Sequence, residues 1–309
     1  MPGAAAGPAR PGQGTASAGA AGRGVPGPGN LFQTLAHDPR RRGVLQALPR
    51  QLPLPGDRRI AVAGVRYQTQ ALVLRTAPLG EADRIVTLLA ADGRKLRAVA
   101  RGARKSRRRF LGCLELFSHL DVTVASRPSS QLERLEEAVL RDGHQAIRGE
   151  LKRFTQACYA LELCEAFTVE GDANTGFWKL LADVLGLLDQ RALRDVELCY
   201  LELRVLQVAG LNPDFSACLG CGRRQSPRWY ADRAAAGLYC SDCHQRIGPA
   251  HELGQAAVDL LRSLAARRLP AADPPSKLLE QASRLLRQLV DEQAGRVIKS
   301  RGQLDLASR

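Results

Sequence analysis

Residues 83–100 read Asp83-Arg84-Ile85-Val86-Thr87-Leu88-Leu89-Ala90-Ala91-Asp92-Gly93-Arg94-Lys95-Leu96-Arg97-Ala98-Val99-Ala100. The central pair, Asp92-Gly93, suits a two-residue hairpin turn, because both turn positions must accept positive φ. Ile85, Val86, Leu88 and Leu89 crowd the arm before it, and Leu96 and Val99 mark the arm after it. Two antiparallel strands are therefore predicted over 83–90 and 93–100. Working outward, residues 67–75 read as an earlier strand, ended by the turn signal Pro78-Leu79-Gly80-Glu81. Residues 116–125 read as a fourth, with Leu120, Val122 and Val124 alternating with Asp121 and Thr123. Residues 132–139 complete the set as a fifth strand, although their glutamates suit a helix almost as well. Five short strands in so small a span predict a closed barrel of the OB type over residues 65–144.

Between the third and fourth strands lies Arg101-Gly102-Ala103-Arg104-Lys105-Ser106-Arg107-Arg108-Arg109-Phe110. Arg101, Arg104, Lys105, Arg107, Arg108 and Arg109 repel one another, so the loop is expected to order only against an anion. Guanidinium groups pair bidentately with phosphate oxygens, which makes a nucleic-acid backbone the natural partner. Phe110 reads as a core residue, or as a stacking face for a base. Arg296, Lys299 and Arg301 form a second basic group near the end of the chain.

From residue 145 the apolar period lengthens. Ile147, Leu151, Phe154, Cys158 and Leu161 fall at steps of three and four, as do Phe177, Leu180, Leu181, Val184, Leu185 and Leu188. Val196, Cys199, Tyr200, Leu203 and Leu206 follow, stopped by Gly210 and Pro213. Leu253, Ala257, Leu260, Leu261 and Leu264 predict a fourth helix, and Leu278, Ala282, Leu285, Leu286 and Leu289 a fifth. One apolar stripe per helix is what a packed bundle needs. The fold class expected is α+β and multidomain: a five-stranded OB-like barrel, then a helical domain over 145–309 with an inserted cysteine knuckle over 216–246.

The knuckle carries Cys218-Leu219-Gly220-Cys221 and Cys240-Ser241-Asp242-Cys243, with 18 residues between the pairs. Four thiolates complete a tetrahedral shell and leave no position for water or substrate, so one structural zinc ion is expected on Cys218, Cys221, Cys240 and Cys243. Gly220 and Gly222 permit a tight turn whose backbone N–H groups point at sulfur. Trp229-Tyr230 and Leu238-Tyr239 suggest a small hairpin between the pairs. Cys240 to His244 also matches a haem-attachment pattern, but that leaves Cys218 and Cys221 unexplained. A redox dithiol needs one pair at a helix start. With four thiolates present, His244 is expected to face solvent. Cys113, Cys158, Cys164 and Cys199 read as small, reduced, buried side chains.

Among 309 residues, 45 Lys+Arg against 31 Asp+Glu give a formal charge of +14, which suggests a polyanionic partner. Residues 1–64 hold eight Arg and two Asp, and the first 30 hold nine Gly, five Pro and eight Ala. That stretch reads as a disordered, basic, low-complexity extension without the apolar run of a secretory signal. No stretch is long and apolar enough to span a membrane. A cytoplasmic protein is expected.

A basic barrel followed by a helical domain with a four-cysteine knuckle resembles the RecO family of bacterial DNA-repair proteins. The resemblance covers about residues 65–302 and rests on 71–75 (Ala71-Leu72-Val73-Leu74-Arg75), 80–89, 99–105, the two cysteine pairs and 295–301. The 64-residue extension departs from it. The resemblance implies a non-enzymatic recombination mediator. Such a protein binds single- and double-stranded DNA, anneals complementary strands and works with RecR and single-strand-binding protein to help load RecA. No GxxxxGK[ST] loop occurs, in agreement. Glu81 and Asp83, beside Arg84, read as a salt-bridged turn and not as a catalytic pair. Two other classes were weighed. A zinc-ribbon factor of transcription or translation would prefer structured RNA, and a metal-dependent nuclease would need an acidic cluster.

Overall fold

A computed structural model describes residues 65–106, 109–110, 112–126, 132–231, 237–246 and 250–307. The extension read over 1–64 lies outside the described residues, as do Arg107 and Arg108.

Strands β1 (Arg66–Leu79), β2 (Asp83–Ala90), β3 (Lys95–Ala100), β4 (His119–Ala125) and β5 (Glu133–Asp142) close into a barrel in the order β1-β2-β3-β5-β4. Every neighbouring pair is antiparallel except β3 with β5, a parallel seam of three residue pairs from Ala98–Glu133 to Ala100–Leu135. This is an OB-type barrel. The ambiguous fifth segment is a strand. Its register on β4 shifts between Thr123 and Val124, so Glu136 is a bulge and the inward residues, Leu135 and Ala138, stand three apart instead of two. The glutamates that suited a helix, Glu133, Glu136 and Glu137, are not buried.

Strand β1 is buried on both faces. Ala71 and Val73 point into the barrel with Val86, Leu88, Leu120, Val122 and Val124. Leu72 and Leu74 point the other way, with Leu89 of β2, into the core of the helical region. Each of these three leucines contributes about 2 kcal/mol by leaving water, so barrel and helices share a wall. Three further contacts fix the seam. The Phe117 ring meets that of Phe154 edge-on at 5.3 Å, the Arg148 guanidinium donates to the Leu116 carbonyl, and His144 pairs with Asp189.

The helices are α1 (Gln145–Arg148), α2 (Leu151–Phe167), α3 (Thr175–Gln190), α4 (Asp195–Val208), α5 (Gln255–Ala265), α6 (Ser276–Ala294) and α7 (Ser300–Ala307). The first expected helix is broken after Arg148, which rotates α2 relative to the sequence stripe. Leu151 is 70% exposed, and the buried residues are instead Ala157, Tyr159, Ala160, Leu161, Leu163 and Cys164. Helix α4 is buried almost all round, Glu197 and Glu202 included, because the other helices surround it. Helix α7 was not anticipated. Its first N–H groups, from Lys299 and Ser300, are capped from outside by the Glu162 carboxylate of α2 at 3.0 and 2.8 Å.

The insert is a sheet and not only a hairpin. Strands β6 (Asp214–Cys218), β7 (Arg228–Ala231), β8 (Gly237–Cys240) and β9 (His251–Gly254) lie in the order β6-β8-β7-β9. Leu253, expected at the start of a helix, is a buried residue of β9. Trp229 is fully buried, and its indole N–H donates to Gln255 at the start of α5.

Gly93 does more than turn the β2–β3 hairpin. It has φ +88°, and a Cβ there would stand 2.0 Å from the backbone carbonyl of Asn174, the N-cap of α3. Gly80, with φ +59°, has open space around it. Gly93→Ala should therefore cost about 3 kcal/mol or more, from strain plus a backbone clash, whereas Gly80→Ala should cost about 1 kcal/mol. Urea denaturation of both variants checks this; equal losses would show that the seam yields at Asn174.

Candidate nucleic-acid interface and metal centre

The basic loop leaves β3 at Arg101 and is braced by the opposite turn. Asp83 accepts a hydrogen bond from the Gly102 N–H at 2.7 Å, the Arg104 N–H donates to the Ala82 carbonyl at 3.0 Å, and the Arg104 guanidinium donates to the Gly80 carbonyl at 3.2 Å. Ser106 Oγ accepts from the N–H groups of Arg109 and Phe110 at 3.1 and 3.3 Å. The Arg109 guanidinium donates to the Arg101 carbonyl at 3.1 Å. The expectation that this loop orders only against an anion is thus corrected for its described part: the chain's own turn orders it. Asp83 supplies the brace, and Arg84 pairs with Glu115 at 3.0 Å, not with the turn's carboxylates. Phe110 is 3% exposed and belongs to the barrel core, which removes it as a stacking face.

The partners of these cations are electrically neutral. Arg104 and Arg109 bond to carbonyls, and Arg101 and Lys105 are exposed with no side-chain partner among the described residues. Elsewhere on the barrel cations are neutralised, as in Arg66–Glu136, Arg94–Asp92 and Arg141–Asp121. The loop therefore keeps its positive field, which is what attracts a polyanion. In the second basic group Arg301 is unavailable, being 12% exposed and paired with Asp291 at 2.6 Å. Arg296 and Lys299 are exposed.

Cys218 ends β6 and Cys240 ends β8, and Cys221 and Cys243 follow each at the turn. All four sulfurs lie within 4.8 Å of one another, and Cys221 and Cys240 are 3.7 Å apart. A tetrahedron with metal–sulfur bonds of about 2.3 Å has edges of about 3.8 Å, so the cluster could hold a metal ion. Burial raises the Cys218 thiol, but the N–H groups of Cys240, Cys221 and Gly220 outweigh it and bring the thiol down to about 6. Neighbouring sulfurs push Cys243 upward. A ready thiolate at Cys218 beside a Cys243 thiol that resists ionisation is relieved by a central cation. His244, expected to face solvent, instead stacks on Tyr230 with ring centroids 4.0 Å apart and bonds through Nδ1 to the Ser241 carbonyl, outside the sulfur cluster.

Residues 65–144 match the family model described as Recombination protein O N terminal, and residues 148–302 match Recombination protein O C terminal. The DNA repair protein RecO of Myxococcus xanthus (strain DK1622) is 37% identical over 236 residues, 76% of this chain and 95% of the relative. That of Anaeromyxobacter sp. (strain Fw109-5) is 37% identical over 246 residues, 78% of this chain and 96% of the relative. That of Synechococcus sp. (strain JA-3-3Ab) is 30% identical over 259 residues, 79% and 86% of the two chains.

Proposed function

This chain belongs to the RecO family of DNA repair proteins, and we propose that it is a recombination mediator that works by binding, without catalytic chemistry of its own. The observation that carries the reading is the braced loop, with Arg101 and Lys105 unpartnered at one end of an OB-type barrel. Arg101, Arg104, Lys105, Arg107, Arg108 and Arg109 contact phosphates of single- and double-stranded DNA. Asp83 holds the loop through a backbone N–H, and the guanidinium groups of Arg104 and Arg109 rest on carbonyls, so among the described residues no carboxylate pairs with the loop's cations. Phosphate contacts are blind to sequence, so the surface holds one strand, screens the repulsion of a second and leaves the bases free to pair. That is the physical requirement for annealing. With RecR, the same grip on DNA coated by single-strand-binding protein supports the loading of RecA. The site of action is the bacterial cytoplasm, on the nucleoid.

The metal is one zinc ion on Cys218, Cys221, Cys240 and Cys243, supported by an all-thiolate shell of the right size. When bound it supplies a cross-link between the ends of β6 and β8. Metal analysis should find one zinc per chain. Cys221→Ser should lose it and expose Trp229, because structural zinc contributes on the order of 10 kcal/mol to its knuckle. Iron, or no metal, would refute the assignment.

Salt titration of single-stranded DNA binding tests the loop. Changing Arg101 and Lys105 together to Ala should make the slope of log affinity against log salt shallower by about 1.4. The melting temperature should hold, since neither side chain has a partner among the described residues. An unchanged slope would send the search to Arg296 and Lys299.

A further inference from the structure

Helices α4, α6 and α7 line a groove of about 890 Å³ whose charge opposes that of the chain. Seven carboxylates and two guanidinium groups face it. Three of the carboxylates are in ion pairs: Glu280 with Arg284 at 3.3 Å, Asp305 with Arg287 at 3.0 Å and Asp291 with Arg301 at 2.6 Å. Asp195, Asp273 and Glu292 form no ion pair among the described residues. Below them lies Glu202, with a side chain 3% exposed. One of its oxygens accepts from the Tyr159 hydroxyl at 2.5 Å, while the other is buried with no hydrogen-bond partner among the described residues. Arg287 approaches no closer than 3.8 Å. Burial pushes the Glu202 carboxyl up to about 7 against the pull of Tyr159, Arg287 and Arg301. A buried carboxylate short of a donor, under surface carboxylates that have no cation beside them among the described residues, is completed by a cation that brings several N–H groups, which describes arginine better than lysine.

We propose that the groove is the docking site of this chain's own N-terminal segment, with Arg40-Arg41-Arg42 seated among Asp195, Asp273 and Glu292 and one guanidinium reaching Glu202. Residues 1–64 hold eight arginines, no lysine and two aspartates, the complement of the groove. The apolar floor of Leu198, Leu279 and Leu304 suits the arginine stems. The described chain begins at Val65, so Arg40-Arg41-Arg42 have up to about 75 Å of extended reach, whereas Arg58-Arg59 are held within about 20 Å. A compact body of this size has a radius of gyration of about 18 Å. Tethering raises the local concentration of the segment to the millimolar range, roughly. The inference is independent of the DNA-binding reading.

Limited trypsin cleavage of the full chain, followed by mass spectrometry, reads protection at residues 40–42. At low salt, cleavage there should be at least about tenfold slower in the wild type than in the variant with Asp195→Asn, Asp273→Asn and Glu292→Gln, with the difference lost in high salt. Equal rates at low salt overturn the proposal, and protection that falls on dilution overturns docking within one chain in favour of a second copy. A second arm leaves the groove untouched. A fluorescent peptide of residues 36–60 should bind the full chain carrying Arg40→Ala, Arg41→Ala and Arg42→Ala at least about tenfold tighter than it binds the wild type, whose own segment occupies the site. Equal affinity for the two chains, tight or weak, overturns the proposal.

Discussion

Four consecutive residues of β1, Ala71 to Leu74, have no face left for solvent, because one strand belongs to two cores. The rest of the molecule is arranged around that wall. Strands β1 and β2 offer their outward leucines to the helices, which fixes the barrel's orientation and brings the Asp92-Gly93 turn against the start of α3. A glycine is required there twice over, by the turn's φ and by the approach of a backbone. Alternation places Leu74 on the helical side with Leu72, and the register shift between Val73 and Arg75 leaves it without a partner in β2. Phe117, at φ +70°, accepts backbone strain beside it, where its ring joins the same seam.

Polar groups follow the same division of labour. Some structural cations have a carboxylate, as in the pairing of Arg191 with Glu197 through two 2.7 Å bonds, and others, such as Arg148, are held by carbonyls. Arg104 and Arg109, in the loop after β3, are of the second kind: carbonyls hold their side chains without cancelling their charge. The turn preceding β2 serves as the loop's scaffold, and the Asp83 carboxylate is occupied by a backbone N–H.

Much of this was legible in the sequence, for local reasons. The alternation over Leu120–Val124 and the Asp92-Gly93 turn required only near neighbours, and the cysteine pairs required only spacing. The errors arose where distant residues decide. Leu151 matched a helical step, but the chain breaks at Gly149 and turns it outward. Leu253 matched the step of α5, but β7 captured it as a strand partner. The fifth segment, by contrast, was read correctly as a strand despite the bulge at Glu136. Helix α7 rests on a cap from Glu162, 138 positions before Ser300, and no local signal could announce it. Within the candidate site, the six cations and four cysteines were readable as types. The brace from Gly80 to Asp83 was not, since it depends on barrel closure.

Barrel closure has an uneven consequence. The β3–β5 seam holds only three residue pairs, whereas β1 and β2 share eight. The basic loop begins at the residue after that seam, and the Arg109 carbonyl accepts from the Ala138 N–H of β5. A polyanion held by the loop, as proposed above, would therefore lie across the barrel's thinnest join. Amide hydrogens around Ala98 to Ala100 and Leu135 should exchange with solvent sooner than those of β1 and β2, and slow selectively when the loop is occupied. Any load placed on that rim falls on the join with the fewest residue pairs to hold it.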